Sequence, residues 1–316
     1  MPGQVWSVAA DGGYMYSDQL SDRLRTVLLN TVKFRQFCDA DDHSEFGLEA
    51  GEKFHWDIYS KVATAGGAIS ENQAIPETKF TITQGTGTVT EYGNSVPYTK
   101  KLDDLSLHPV SKVIDQVLKI DATEALDAAA STQFDAASTA LNVVATGGTS
   151  ATAISVTEAA TTVTNNVALR KAHVAKISVE MRERNIPAYF DNGDYGCIGR
   201  PATFETFESD LEAIHQYVNP GLDMIMNGEK GRYRGIRFFE QTNRASESWT
   251  NGLSDAAYFF GGDTVHEAVV CLEEIRGKIP GDFGRDKGIA WYYLGGFKLV
   301  HSVSAQTRIM KWDSAA

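Results

Sequence analysis

The sequence predicts an α+β fold with a long two-stranded β-arm, one unusually long helix and a second domain in which helices and strands alternate. The arm is indicated by Lys53–Tyr59, where apolar and polar residues alternate, and by 79–90, which is rich in Thr and β-branched residues. The helix is indicated by apolar residues that recur at helical spacing over 109–141. A chain of 316 residues can bury the cores of two domains.

The two strands of the arm are placed by the phase of their side chains. Phe54, Trp56 and Ile58 fall on one face of the first strand. In the second strand the apolar phase changes around Gly85 and Gly87, which predicts a β-bulge or a kink. Ten extended residues reach roughly 30 Å, and an isolated hairpin is only marginally stable in water. The arm must therefore lie on its own chain or on another molecule, and the sequence leaves both possibilities open.

The long helix is predicted to begin at Pro109, because proline suits the first turn of a helix. About 33 residues at 1.5 Å each give roughly 50 Å of helix, far more than an average helix. Gly147 and Gly148 end any helical stretch. The apolar stripe consists of Val110, Val113, Ile114, Val117, Leu118, Ala122, Ala125, Leu126 and Ala129, continued by Phe134, Ala137 and Leu141.

The other predicted elements are shorter. A helix is predicted over 18–32, and a linker rich in Thr, Ala and Gly over 145–164. Asn165 or Asn166 is predicted to cap a second helix, which ends before Pro187. Further strands are predicted at Tyr195–Gly199, 232–241 and 257–261, short helices over 201–217, and two aromatic strands that meet at Gly295–Gly296.

Composition limits the function classes. The formal net charge of -12 argues against a sequence-reading DNA-binding protein, which normally carries a basic face. The favoured interpretation of the acidity is that it keeps the protein soluble. Cys38, Cys197 and Cys271 are far apart and lack metal-ligand spacing, which indicates a reducing compartment. Neither a signal peptide nor a membrane-spanning segment is predicted.

Several fragments imitate catalytic or metal-binding motifs without the context that such motifs need. Asp282–Gly284 reads DFG, but no kinase catalytic loop accompanies it. His266 and Glu267 lack the second His of a zinc protease, and His43 and Glu45 lack the PCxxC that follows in a deaminase. Gly85 and Gly87 lack the third glycine of a dinucleotide-binding turn. Asp39, Asp41 and His43 have the spacing of a calcium loop, but Ser44 stands where such a loop needs Gly. We predict no catalytic, cofactor-binding or metal-binding residue and no cofactor, with weak cation binding at the acidic cluster left open.

One cationic cluster has two interpretations. Lys230, Arg232 and Arg234 alternate along a predicted strand that leads to Arg237, so they would share one face. They could form a ring of positive charge near a symmetry axis or on an inner wall. The favoured interpretation is a solvated strand face that pairs with acidic neighbours.

Two longer stretches resemble tailed-phage major capsid proteins. The stretch 66–110 reads GGAISENQAIPETKFTITQGTGTVTEYGNSVPYTKKLDDLSLHPV and resembles the segment between the extended loop and the spine helix of that family. The stretch 215–243 reads HQYVNPGLDMIMNGEKGRYRGIRFFEQTN and resembles part of the family's axial domain. The order and spacing of these motifs carry the resemblance, which extends over about 15–312.

The resemblance implies a domain organisation. It consists of an N-terminal arm over 1–46, an extended loop over 47–95, a peripheral domain with the spine helix over 96–145 and 286–316, and an axial domain over 146–285. Some relatives carry a long scaffolding segment before the arm. Only about 50 residues precede the arm in this sequence, so a separate scaffolding protein is expected.

The resemblance also implies a function. The chain is expected to be a structural, non-enzymatic subunit that self-assembles as pentamers and hexamers into an icosahedral shell around double-stranded DNA. A portal and a decoration protein are further expected partners, DNA contact is expected to be non-specific, and assembly is expected in the cytoplasm of the bacterial host, without a membrane. Two alternatives remain open: an encapsulin-like nanocompartment shell with protein cargo, and a cytosolic enzyme of unfamiliar α+β fold.

Overall fold

The fold is α+β, as predicted, and it is described by a computed structural model. The structure describes residues 29–42, 51–62, 66–72, 74–75, 77–136, 141–158, 163–215, 229–244, 255–303 and 306–312. Within these ranges, the helices are α1 Lys100–Leu105, α2 Val110–Phe134, α3 Lys171–Glu183 and α4 Pro201–His215. The strands are β1 Asp39–Asp42, β2 Lys53–Tyr59, β3 Ile82–Thr88, β4 Thr90–Thr99, β5 Leu141–Ala145, β6 Ile154–Thr157, β7 Tyr195–Gly199, β8 Glu229–Tyr233, β9 Ile236–Glu240, β10 Ala257–Phe260, β11 Val265–Gly277, β12 Asp286–Leu299 and β13 Ile309–Trp312.

The strands form three sheets. A four-stranded sheet has the order β1-β11-β12-β4, and a seven-stranded sheet has the order β6-β5-β13-β10-β7-β9-β8. The arm is a separate two-stranded antiparallel sheet of β2 and β3, as predicted. Neighbouring strands in the larger sheets are mostly antiparallel, but β1 runs parallel to β11, β13 to β5, and β7 to β9.

Helix α2 is the predicted long helix, and it packs against the four-stranded sheet. Its 25 residues extend about 37 Å, which is shorter than predicted because Leu141 lies in strand β5 and not in the helix. Pro109 is the N-cap rather than the first helical residue. Val117 is half exposed, so it lies outside the buried face. That face consists of Val110, Ile114, Leu118, Ala122, Leu126, Ala130 and Phe134.

Two apolar cores lie on opposite faces of the seven-stranded sheet. Strand β10 contributes to both, because alternate side chains of a strand point to opposite faces. Tyr258 and Phe260 pack with helix α2 and the four-stranded sheet. Ala257 and Phe259 pack with helices α3 and α4. The central strands β7, β10 and β13 are buried throughout, and they join the two cores into one body.

The glycines of the arm and of β12 have a different role from the one predicted. Strands β2 and β3 pair in continuous register, so there is no bulge at Gly85 or Gly87. A Cβ at Gly87 would lie 2.1 Å from the Phe54 ring. Strand β12 likewise continues through Gly295 and Gly296 rather than ending there. A Cβ at Gly296 would lie 2.4 Å from the Thr88 carbonyl oxygen, so these glycines permit close packing instead of turns.

Three further predictions needed correction, and one strand was missed. The predicted linker over 145–164 contains the end of β5 and all of β6, which form an antiparallel pair. The N-cap position of helix α3 is occupied by Arg170 and not by Asn165 or Asn166. The predicted strand 232–241 is a hairpin of β8 and β9, with its turn at 234–235. Strand β11 was not predicted at all.

The sheets combine strands from both sides of the predicted domain boundaries. Strand β13, from the segment 286–316, lies between β5 and β10 in the seven-stranded sheet. Strand β11, from the segment 146–285, lies in the four-stranded sheet.

The helix predicted over 18–32 falls mainly outside the described residues, and its described end, 29–32, is not helical. No helix in the described ranges has the length and apolarity needed to cross a membrane.

Candidate assembly surfaces

The base of the arm is fixed to the body of the molecule. Phe54 is buried, with its ring centroid 5.5 Å from that of His266 on β11. The Trp56 indole Nε1 donates a hydrogen bond of 3.1 Å to the Val300 carbonyl. These contacts use one face of β2, which is the face that the alternation of Phe54, Trp56 and Ile58 predicted.

The distal half of the arm has no such support from the described residues. Its large apolar side chains are exposed: Tyr59 is 80 % exposed, Ile75 75 % and Ile82 62 %, and Phe80 is similar. We call these four residues the arm surface. Exposed apolar side chains that cluster on one projection are typical of a protein–protein contact.

A second apolar projection is the end of the β11–β12 hairpin. Leu272, Ile275, Ile279 and Phe283 are exposed, and we call them the hairpin surface. Phe283 is fully exposed and has a left-handed backbone with φ 54°. Bulky residues adopt this conformation at an energetic cost, and such strain often marks functional loops.

The segment before β1 is bound tightly to the body. Phe34 packs against the rings of Phe134 and Tyr258. Arg35 forms salt bridges to Glu267, at 2.7 Å, and to Glu273. Glu273 is partly buried, which acts to raise its pKa, but the hydrogen bond and charge of Arg35 outweigh burial and the pKa is lowered. This segment is therefore a structural part of the subunit.

The described part of the acidic cluster lies in a strand. Asp39 and Asp41 lie in strand β1, at the edge of the four-stranded sheet, and His43 lies outside the described residues. Burial raises the pKa of Asp39, and the nearby Asp263 adds to this effect. Within the described ranges, no three His, Cys, Asp or Glu side chains are grouped so as to hold a metal ion. Charges on an edge strand instead discourage unwanted strand pairing.

The other motif-like fragments lie in structural positions. Asp282–Gly284 forms the turn of the hairpin surface. His266 and Glu267 lie in strand β11, where Glu267 is buried and paired with Arg35. His43 and Glu45 are outside the described residues. Cys38, Cys197 and Cys271 are free thiols, and burial raises the pKa of Cys197 well above its usual value.

The predicted cationic strand face is divided by the β8–β9 turn. Arg232 lies in β8, whereas Arg234 lies in the turn, so the two do not share a strand face. Arg232 and Arg237 both contact the buried carboxylate of Asp194. Pairing with an acidic neighbour is therefore confirmed for Arg232. Sequence reasoning missed Asp194, because it lies on a different strand connection and carries no motif.

Comparison with known proteins identifies the family of the chain. A family model described as phage capsid protein matches residues 83–303. The chain belongs to the phage capsid protein family. This capsid protein is a structural component of a phage shell. No curated protein matches it.

Solved structures place the capsid protein in the fold of tailed-phage major capsid proteins. The capsid of Ralstonia phage GP4 aligns with a TM-score of 0.68 and 12 % identity, over 97 % of each chain. The capsid of cyanophage Pam1 aligns with a TM-score of 0.65 and 14 % identity, over 95 % of this chain and 98 % of that one. The capsid of a native GTA particle aligns with a TM-score of 0.61 and 14 % identity, over 98 % of each chain. One alternative was a cytosolic enzyme with an unfamiliar α+β fold. The part of it that concerns the fold is wrong, because the fold is that of known capsid proteins.

Proposed function

We propose that the capsid protein is the major subunit of an icosahedral shell, in which it assembles as pentamers and hexamers around double-stranded DNA. The observation that carries the proposal is the arm, which has a buried base and an exposed apolar end. Burying apolar area contributes about 25 cal/mol per Å², before the cost of association is subtracted. An arm of this kind gains stability only when a neighbouring molecule covers it.

The proposal assigns the parts of the subunit to roles. The arm corresponds to the extended loop, α2 to the spine helix, and the four-stranded sheet to the peripheral domain. The seven-stranded sheet with α3 and α4 corresponds to the axial domain, to which we also assign β5 and β13. We propose no catalytic activity and no bound cofactor.

The proposed partners extend beyond the subunit itself. A separate scaffolding protein, a portal and a decoration protein are proposed, and assembly takes place in the cytoplasm of the bacterial host. An encapsulin-like compartment would use the same fold with protein cargo. Nuclease-resistant DNA in purified particles separates the two functions, because a protein-filled compartment protects no genome.

Electron microscopy and light scattering of the purified chain test the proposal. We expect capsomers, sheets or closed shells, with and without coexpressed scaffolding protein. The double variant Tyr59→Ser/Ile82→Ser should assemble poorly, because it removes the exposed apolar side chains at the end of β2 and at the start of β3. Val117→Ser/Val179→Ser is the matched control, since both valines are exposed helix residues away from the arm.

Two outcomes contradict the proposal. One is a wild-type chain that stays monomeric under every condition. The other is equal assembly of the arm variant and wild type, which would show that the arm surface is not an interface. Circular dichroism of the soluble variants confirms that any loss of assembly is not a loss of folding.

A further inference from the structure

The turn between β8 and β9 holds an arginine in an unfavourable conformation. Arg234 and Gly235 form the two-residue turn, with φ 50° and 78°. Turns of this kind favour Asn, Asp or Gly at the first position, because a left-handed backbone crowds the Cβ of other residues. Arg234 is exposed, so packing does not explain its presence. A strained residue at an exposed position suggests a use for its side chain.

A buried carboxylate fixes two more guanidinium groups beside this turn. Asp194 is 1 % exposed, and its Oδ1 accepts hydrogen bonds from Arg232 Nε at 3.0 Å and Nη2 at 2.7 Å. Its Oδ2 accepts from Arg237 Nε at 3.1 Å. The Arg237 guanidinium also stacks on the ring of Phe190, 4.4 Å from its centroid. Arg232 stays about half exposed although its position is fixed.

Helix α3 supplies a fourth guanidinium group. Arg182 donates from Nε to the Ser178 carbonyl at 3.0 Å and from Nη2 to Ser178 Oγ at 3.2 Å. Ser178 Oγ in turn donates to the Arg234 carbonyl at 2.8 Å, which joins the helix to the turn. Among the described residues, no carboxylate lies within salt-bridge distance of Arg182 or Arg234. Two guanidinium groups thus contact the buried carboxylate of Asp194, and those of Arg182 and Arg234 belong to the adjoining helix and turn, in a chain of net charge -12.

We propose that Arg182, Arg232 and Arg234 form a binding site for phosphate groups of double-stranded DNA, and we call it the arginine site. Guanidinium groups match the geometry of phosphate oxygens and remain charged at every physiological pH. Because Asp194 and Ser178 hold two of them in place, little side-chain freedom is lost on binding. Backbone contacts of this kind are independent of sequence. The inference rests on the proposed function, since it takes the enclosed DNA as the ligand.

Salt-dependent binding of a short labelled DNA duplex to the unassembled full-length chain tests the site. The double variant Arg182→Gln/Arg234→Gly removes two cations, and glycine suits the left-handed turn. We expect the slope of log K against log salt concentration to become shallower by about 2, because each phosphate contact contributes about 0.9. Lys101→Gln/Lys112→Gln is the control, since it removes the same charge from two exposed lysines of α1 and α2.

The outcomes separate the possible explanations. An unchanged slope in the arginine variant overturns the site, and so does an equal change in both variants, which would reflect net charge alone. If the arginine variant binds the duplex like wild type but fails to associate with other subunits, the ligand is an acidic surface of a second copy. If the wild-type chain forms no shell but the arginine variant still has the shallower slope, the proposed function is contradicted and the phosphate site is supported.

Discussion

Asp135 and Lys311 form an ion pair of 2.8 Å in which the Lys311 side chain is almost completely buried. Asp135 is the C-cap of helix α2, and Lys311 lies in strand β13. Tyr258 donates its hydroxyl to the same carboxylate at 2.8 Å, and Arg244 pairs with its other oxygen. The end of helix α2 is therefore attached to the seven-stranded sheet by charge and by hydrogen bonds.

Asp135→Asn should strongly destabilise the subunit. The variant removes the negative charge that Lys311 and Arg244 share in a largely buried place, and breaking a buried pair in this way costs about 3 kcal/mol or more. Urea unfolding of the unassembled subunit measures the change. Asp115→Asn is the control, because its pair with Lys119 is exposed and should contribute less than about 1 kcal/mol. Equal losses in the two variants would contradict this prediction.

The same carboxylate should make the subunit sensitive to acid. Burial acts to raise the pKa of Asp135, but the hydrogen bond and charge of Lys311, with the charge of Arg244, lower it below the usual value. The folded state then binds fewer protons than the unfolded state. The resulting stability is present above the unfolded pKa of about 3.9 and is lost as the pH falls through the folded pKa. As the pH is lowered from about 5 to about 3, a range that includes the unfolded pKa, the unfolding free energy of Asp135→Asn should therefore fall less steeply than that of wild type.

The sequence predicts those elements whose pattern is local. The arm was predicted because Phe54 and Trp56 recur at the two-residue period of a strand. Helix α2 was predicted because Ile114 and Leu118 recur at helical spacing. Gly295 and Gly296 were misinterpreted because their partner, the carbonyl of Thr88, is distant in sequence. Strand β11 was missed because its second half is exposed and charged, and thus lacks an apolar period.

The assembly surfaces were predicted only in part. The arm itself was predicted, but the sequence left open whether it lies on its own chain or on another molecule. The pair of Asp135 and Lys311 and the pair of Asp194 and Arg232 could not be predicted. Ion pairs between distant segments depend on how the sheets are ordered, and no local pattern specifies that order.

Arg35→Met should destabilise the attachment of the segment before β1. It leaves Glu267, which is 3 % exposed, without a cation, although Tyr293 still donates a hydrogen bond of 2.9 Å to it. We expect a loss of about 3 kcal/mol in urea unfolding. Arg285→Met, which breaks an exposed pair with Asp282, should cost less than about 1 kcal/mol. Adding Glu267→Gln to Arg35→Met should recover part of the loss, and no recovery would argue against an unpaired charge as the cause.

Gly87→Ala should disturb the base of the arm. The new Cβ would overlap the buried ring of Phe54, which must move away from His266. Overpacking of this kind costs about 1–3 kcal/mol. Gly66→Ala is the control, because nothing lies within 4 Å of a Cβ at that position. Urea unfolding compares the two, and a harmless Gly87→Ala would mean that the arm base is not closely packed.

Arg234→Gly should make the isolated subunit more stable. A left-handed backbone costs an ordinary L-residue about 1–2 kcal/mol, and glycine avoids that cost. The greater freedom of glycine in the unfolded chain offsets part of the gain, which leaves about 0.5 kcal/mol. Asn185→Gly is the control at φ 57°, because asparagine tolerates this conformation and should gain less. Thermal unfolding measures both variants.

A gain in stability from losing Arg234 would mean that the arginine is kept at the expense of folding, as expected for a side chain that binds a ligand. No gain would remove strain from the argument and leave the arginine site dependent on its charges alone.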